Sequence, residues 1–232
     1  MASGSKKSRA GKPPEPPPEL RPWQILVLDA VAASPLGAEL TLGGGTALAA
    51  VYLHHRVSED LDFFAMREIE QHELRPIARA LATKKVQVDQ RVEGPRRILE
   101  LSRNDEAVGH VDLSYYPFDP IDRPTRWHRL RVDSLIDMAV NKVQAILTRS
   151  KPRDHVDLYF LLREGAERDL GRLLALVRAK FDVGADPLTL AERLLHFADI
   201  PADQLPPLLR PVPIDDLRVF FEDLARRLVR GA

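Results

Sequence analysis

The chain contains no cysteine, which excludes a disulfide framework, a thiolate zinc site and a catalytic thiol. Any chemistry is left to carboxylates, lysine, histidine, serine or a bound metal. It has no net charge either, with 34 Lys+Arg against 34 Asp+Glu, so no global field draws it to a polyanion and a nucleic-acid partner must be met by a local basic patch. No apolar run approaches the roughly 18 residues that a membrane span requires, and the basic, proline-rich start has no apolar signal core. Together these point to a cytoplasmic protein with no membrane partner. Aromatic residues make up only 6% of the 232 positions, but 44% of the chain is hydrophobic, enough for a core in one domain or in a compact domain with a helical appendage.

Residues 1–22 hold Lys6, Lys7, Arg9 and Lys12, followed by Pro13, Pro14, Pro16, Pro17 and Pro18. This composition predicts a disordered, partly polyproline arm, better read as a solubilising leader than as a nucleic-acid-binding tail. From Trp23 the spacing of Ile25, Leu26, Leu28 and Val31 predicts a helix that ends at Ser34-Pro35. Residues 39–42 read as a short strand, followed by Gly43-Gly44-Gly45 and an alanine-rich helix of about three turns from Thr46. Asp60-Leu61-Asp62-Phe63-Phe64 reads as a strand entering a core, residues 70–83 as a helix, and residues 86–92, 97–102 and 107–116 as strands by alternation and β-branched content. Helices are expected at 133–149, 154–163, 170–181, 188–197 and 215–229. The expected fold class is therefore α/β (α+β): a mixed sheet of about five strands within residues 23–132, then a helical lobe over 133–232.

Several constellations in this frame carry chemical meaning. Gly43-Gly44-Gly45-Thr46 between a strand and a helix allows close backbone approach to a ligand and offers free N–H groups to phosphate, although a glycine run here is more often a tight turn. Asp60 and Asp62, at i and i+2 of a strand, share one face. Their repulsion is relieved by a divalent cation such as Mg²⁺ or Mn²⁺, or by solvent at a strand end. Asp112, between Val111 and Leu113, is solvated if its strand lies apart and a third ligand if it lies beside the Asp60 strand. Lys142 falls on the apolar stripe of Leu135, Met138, Ala139, Ala145 and Ile146, where it either snorkels to the rim or faces an internal anion such as a triphosphate. Asp154 suits a helix cap, whereas Asp157 lies beside an apolar stripe and could orient Lys142, bind metal or accept a proton. Arg56 and Ser58 could touch phosphate or stabilise a loop, and the adjacent His54 and His55 diverge from a helix and make poor joint zinc ligands.

Taken together, Leu42-Gly43-Gly44-Gly45-Thr46-Ala47-Leu48 and His55-Arg56-Val57-Ser58-Glu59-Asp60-Leu61-Asp62-Phe63-Phe64, followed by Lys142-Val-Gln-Ala145 and Asp154-His-Val-Asp157, resemble the AbiEii/AbiGii toxin family of nucleotidyltransferases within the DNA polymerase β-like superfamily. The resemblance spans about residues 40–162. It implies that Gly44, Gly45 and Thr46 cradle nucleotide phosphates, with Asp154 a weaker nucleotide-site partner of Asp157, while Arg56 and Ser58 stay candidates for phosphate contact from their place just before the acidic pair. It further implies that Asp60 and Asp62 hold Mg²⁺ (or Mn²⁺) with Asp112 as third acid, that Lys142 contacts the triphosphate, and that Asp157 is a catalytic or orienting carboxylate. The separation of fourteen residues between Gly45 and Asp60 is longer than in the superfamily's tightest versions, so the glycine contacts depart more from the pattern than the metal site does.

The activity that the resemblance implies is metal-dependent transfer of NMP from NTP to an acceptor hydroxyl. The expected acceptor is RNA, above all a tRNA 3′ end, in a toxin–antitoxin or phage-defence setting with a cognate antitoxin. Residues 121–155 carry eight basic against four acidic side chains, which suits an RNA acceptor as well as it suits an ordinary solvated surface. Protein nucleotidylation and a nucleotide- or partner-binding module with little turnover are the alternatives.

Overall fold

The computed structural model describes residues 18–149, 151–165 and 167–231. Most of the expected N-terminal arm lies outside the described residues, but its last part belongs to the folded body. Leu20 is buried in the core and Glu19 is buried with its carboxylate 2.8 Å from His54 Nδ1. Helix α1 (Pro22–Ala33) then starts with proline in its first turn, where the missing N–H is not needed, and ends where Pro35 cannot continue it.

Strand β1 (Thr41–Gly43) runs into a single α-helical turn, α2 (Gly44–Ala47), which continues as the π-helical segment Leu48–Leu53. The expected three-turn helix is thus a widened one, closed by His54 in the left-handed conformation at φ 51°. Strand β2 (Leu61–Ala65) follows, then α3 (Arg75–Ala82), shortened at its start because residues 71–74 form a 3₁₀ turn. A meander of β3 (Gln87–Glu93), β4 (Arg96–Arg103) and β5 (Glu106–Tyr115) comes next. The sheet has seven strands, not five, in the order β3-β4-β5-β2-β1-β7-β6. The two additions are a hairpin of β6 (Thr125–Trp127) and β7 (Leu130–Val132), three residues each. Its turn places His128 and Arg129 at positive φ, a task usually given to Asn-Gly, so the sequence carries no hairpin signature there.

Among the described residues five α-helices follow: α4 (Leu135–Thr148), α5 (Pro152–Glu164), α6 (Leu170–Phe181), α7 (Pro187–Leu195) and α8 (Ile214–Arg230). Helix α4 begins later than expected because Ser134 is its cap, accepting a hydrogen bond from the Asp137 N–H at 3.1 Å. One hydrophobic core runs through sheet and helices, from Leu42, Leu61 and Val111 to Val143, Phe160 and Phe221.

Two strand relations set up the site. In β2 the side chains alternate, with Leu61, Phe63 and Ala65 buried and Asp62 and Phe64 half-buried on the opposite face. Burying a residue such as Phe63 is worth roughly 1.5–3 kcal/mol, so the core locks this register and with it the facing of Asp62. Strands β2 and β5 then pair in parallel with Asp62 opposite Asp112.

Candidate active site

The carboxylate row starts at Asp60, just before β2. Its backbone is fixed from beneath: the Thr46 hydroxyl donates to the Asp60 carbonyl, and the buried Gln24 amide donates to the carbonyls of Asp60 at 3.2 Å and Ser58 at 3.1 Å. The Asp60 carboxylate accepts from Arg153 at 2.9 Å, with His110 Nε2 3.5 Å away. Asp112 accepts from Ser114 Oγ at 2.8 Å and pairs with Arg96. Between them, Asp62 has no cation of the described residues paired with it. Desolvation raises its pKa, the Asp112 and Asp60 carboxylates add to the rise, and the nearby Lys142 opposes it.

Gly44 explains why the glycine turn abuts this row. Its φ is +65°, and a Cβ there would fall 1.9 Å from Asp62 Oδ2. A side chain would be strained by the backbone and would also displace the carboxylate. Gly45 serves a different neighbour, since its Cβ would meet the Arg56 guanidinium at 2.3 Å.

A second carboxylate group lies on α5. Asp157, fully buried, accepts from His55 Nε2 at 2.7 Å, from Arg56 Nε and Nη2 at 2.6 and 2.8 Å, and pairs with Lys142 Nζ at 2.7 Å. Burial alone would raise its pKa, but Arg56 and Lys142 hold it well below the ordinary carboxylate range. Burial lowers the His55 pKa, which keeps the ring neutral with Nε2 as the donor to Asp157. Asp154 accepts from Lys142 at 2.8 Å and from Arg149 at 2.9 and 3.0 Å. Burial opposes ionisation there too, yet Lys142 and Arg149 lower its pKa. Lys142 therefore neither snorkels nor stands free: its ammonium bridges Asp154 and Asp157 while its side chain lines the cleft.

That cleft, a cavity of about 360 Å³, lies between the sheet and α4. Asp62 and Asp112 face it from the sheet, Gly44 from the start of α2, and Lys142 and Arg149 from the helix side. Phe64, Tyr116 and Phe181 line it as well, with the first two rings 4.7 Å apart.

The expected site residues thus divide. Gly44, Asp62, Asp112 and Lys142 come together at the cleft, whereas Asp60 does not line it. Thr46, Arg56 and Ser58, expected near phosphate, are buried behind the glycine turn: the Thr46 hydroxyl is committed to Asp60, and the Arg56 guanidinium to Asp157. Gly45 packs on that same layer. Asp154 caps nothing, because α5 starts two residues earlier and the carboxylate turns to Lys142 and Arg149. Nor are the three sheet acids drawn together as a ready ligand cluster: among the described residues no group of three or more acids or histidines is so arranged. The outer two acids are turned to Arg153 and Arg96. The donor chemistry nonetheless fits a hard divalent cation, with oxygen donors alone, on one face of paired strands, and the middle carboxylate crowded by like charge.

Sequence reasoning missed Gln24, Arg96, Arg149 and Arg153 as neighbours of this site. Gln24 in an otherwise apolar stretch of α1 was the one available signal, because a buried amide requires polar partners.

A glycine turn leading into a helix, an Asp-x-Asp strand beside a third strand acid, and a lysine helix across the cleft are the arrangement of a nucleotidyltransferase. Residues 26–228 match the family described as "Nucleotidyl transferase AbiEii toxin, Type IV TA system", and the chain belongs to that family. Among solved structures it is similar to JHP933 from Helicobacter pylori, with a TM-score of 0.60 and 20% identity over 90% of this chain and 89% of that one. It is also similar to MenT4, the nucleotidyltransferase toxin Rv2826c from Mycobacterium tuberculosis H37Rv, with a TM-score of 0.52 and 15% identity over 88% and 83% of the two chains. No curated protein matches the chain. The protein is a nucleotidyltransferase of a toxin family, and among its described residues no helix is long and apolar enough to cross a membrane.

Proposed function

We propose that the protein transfers a nucleoside monophosphate from an NTP to a 3′-hydroxyl of RNA, with tRNA as the favoured acceptor, and that it acts as the toxin of a cytoplasmic toxin–antitoxin or phage-defence pair with a cognate antitoxin. The observation that carries this reading is the register pairing of Asp62 with Asp112 on parallel strands, facing Lys142 across the cleft. In this proposal residues 23–132 are the nucleotidyltransferase core and 133–232 the helical lobe, and the cleft lies where they meet.

Asp60, Asp62 and Asp112 would hold Mg²⁺ or Mn²⁺, which supplies neutralisation of the charge developing on the transferred phosphoryl group and on the leaving pyrophosphate. Gly44 lets the backbone approach the phosphates beside Asp62. Lys142, positioned by Asp154 and Asp157, directs positive charge at the triphosphate, and Phe64, Tyr116 and Phe181 offer an apolar wall for the base. The acceptor oxygen forms a bond to the α-phosphorus, the bond from that phosphorus to the bridging oxygen breaks, pyrophosphate leaves, and the hydroxyl proton passes to a carboxylate of the row. The test is label transfer from each α-labelled NTP with Mg²⁺ or Mn²⁺ onto total tRNA and onto total protein, beside Asp62→Ala. Label on tRNA that disappears in the variant is the expected result, and label retained by the variant overturns the site.

A further inference from the structure

A second cavity, of about 670 Å³, lies at the Asp60 end of the carboxylate row. It shares no lining residue with the cleft: Asp60 lines this one, whereas Asp62 and Asp112 line the other. Its walls are the start of α1, the loop before β2, the end of β4 and the middle of β5, contributing Arg21, Trp23, Glu59, Arg103 and His110 beside Asp60. The indole of Trp23 rests on β5 at Gly109, where a Cβ would fall 2.3 Å from the ring. A glycine there lets the aromatic ring lie against the strand, and the half-buried ring forms part of the cavity wall.

Phosphoryl transfer places the attacking and leaving oxygens roughly in line on opposite sides of phosphorus. With the triphosphate beside Lys142, the acceptor has to reach the carboxylates from outside that cleft, and this cavity reaches the row at Asp60. Its volume is in the range of small-ligand sites, roughly 300–1,000 Å³. An aromatic ring flanked by Arg21, Arg103 and His110 is what a single-stranded nucleotide uses, with the base stacking and the backbone meeting positive charge. A protein hydroxyl would need no stacking surface.

We infer that this cavity seats the 3′-terminal nucleotide of the RNA acceptor, with its base on Trp23, its backbone phosphates at Arg21 and Arg103, and its 3′-hydroxyl directed past Asp60. The inference rests on the nucleotidyltransferase reading above.

The test uses the full chain carrying Trp127→Phe, which leaves Trp23 as its one tryptophan, titrated with a single-stranded RNA that ends in a free 3′-hydroxyl. Saturable quenching of the Trp23 emission is expected. In the transfer assay, Trp23→Leu and Arg103→Glu should each raise the apparent KM for tRNA about tenfold or more, as loss of a stacked base or a phosphate contact does. The KM for NTP should be unchanged, and Trp23→Phe should restore the tRNA KM. Arg103→Glu, an exposed position, guards against a Trp23 variant that disturbs α1. Absent quenching, or unchanged tRNA KM in both variants while Asp62→Ala is inactive, overturns the cavity assignment and leaves the activity standing. Label on protein and none on tRNA overturns both.

Discussion

Asp157 on α5 is fully buried and meets Arg56, Lys142 and His55, whereas Asp62 on β2, half-buried, meets no cation of the described residues. Both carboxylates lie within reach of the same lysine, and burial pushes both pKa values upward. In the α5 group the chain supplies its own counter-charges, and these outweigh the desolvation. In the sheet row only the outer acids are countered, by Arg153 and Arg96, and the middle one is left with its like-charged neighbours. The first arrangement is architecture that fixes Lys142. The second leaves charge uncompensated at one point, which costs stability unless a cation from outside is recruited.

The sharpest way to break this comparison is Asp62→Asn. Losing the charge that holds the cation should reduce transfer by about 10³-fold or more, while stability at neutral pH should rise, since a carboxylate whose folded pKa is raised opposes folding once ionised. Lower stability in urea denaturation would mean that Asp62 is structural like Asp157.

The converse is Asp157→Asn, which leaves buried Arg56 and Lys142 under-compensated and should cost about 3–5 kcal/mol in the same measurement. The Asp157 pKa is depressed, so its stabilisation is present above the ordinary carboxylate pKa and is lost as pH falls through the lower folded value. The variant should therefore lose part of the acid-side decline in Tm, and an unchanged acid limb would show that the pair contributes little.

Asp133, between β7 and the cap of α4, extends the comparison. Its pKa is pushed up to about 7, first by burial and then by Asp137, against the pull of Lys180. A raised folded pKa gives stability that is full below the unfolded value near 4 and is lost as pH climbs to about 7. Asp133→Asn should flatten this decline, worth up to about 2–4 kcal/mol across the window, as read from denaturation midpoints at pH 4.5 and 7.5. A decline of equal slope in the variant removes Asp133 as its source.

The smallest expected effect tests the outer acids. Arg153 is partly exposed, and its pair with Asp60 is worth about 0.2–1 kcal/mol. Removing this competitor in Arg153→Ala should therefore tighten Mn²⁺ binding by no more than about fivefold in calorimetry. Weaker binding would instead make Arg153 a support of the site.

Much of this arrangement was legible in the residue order. The alternation of Asp60-Leu61-Asp62-Phe63 predicted an acidic face opposite a buried one, and the stripe around Lys142 placed that lysine inward. The β6–β7 hairpin escaped because its strands are three residues long and its turn carries His128 and Arg129 in place of the usual glycine or asparagine. Thr46, Arg56 and Ser58 were expected at phosphate because they flank the right motifs, but flanking in sequence does not say which side of a turn a side chain takes. The π-helical widening at residues 48–53 and the left-handed His54 lead into the loop that carries His55 and Arg56 to Asp157.

Local periodicity and composition by themselves determined the α/β class, the helical second half, the facing of Asp62 away from the buried side of its strand and the inward lysine, because each depends on residues a few positions apart. Only the tertiary structure decided that Asp112 stands beside Asp62, that Asp157 is countered by Arg56 from about a hundred residues earlier, and that among the described residues no cation pairs directly with Asp62. Those relations are distances between segments far apart in the chain, set by strand order and core packing, and the balance of charge at a buried point is a sum over all of them.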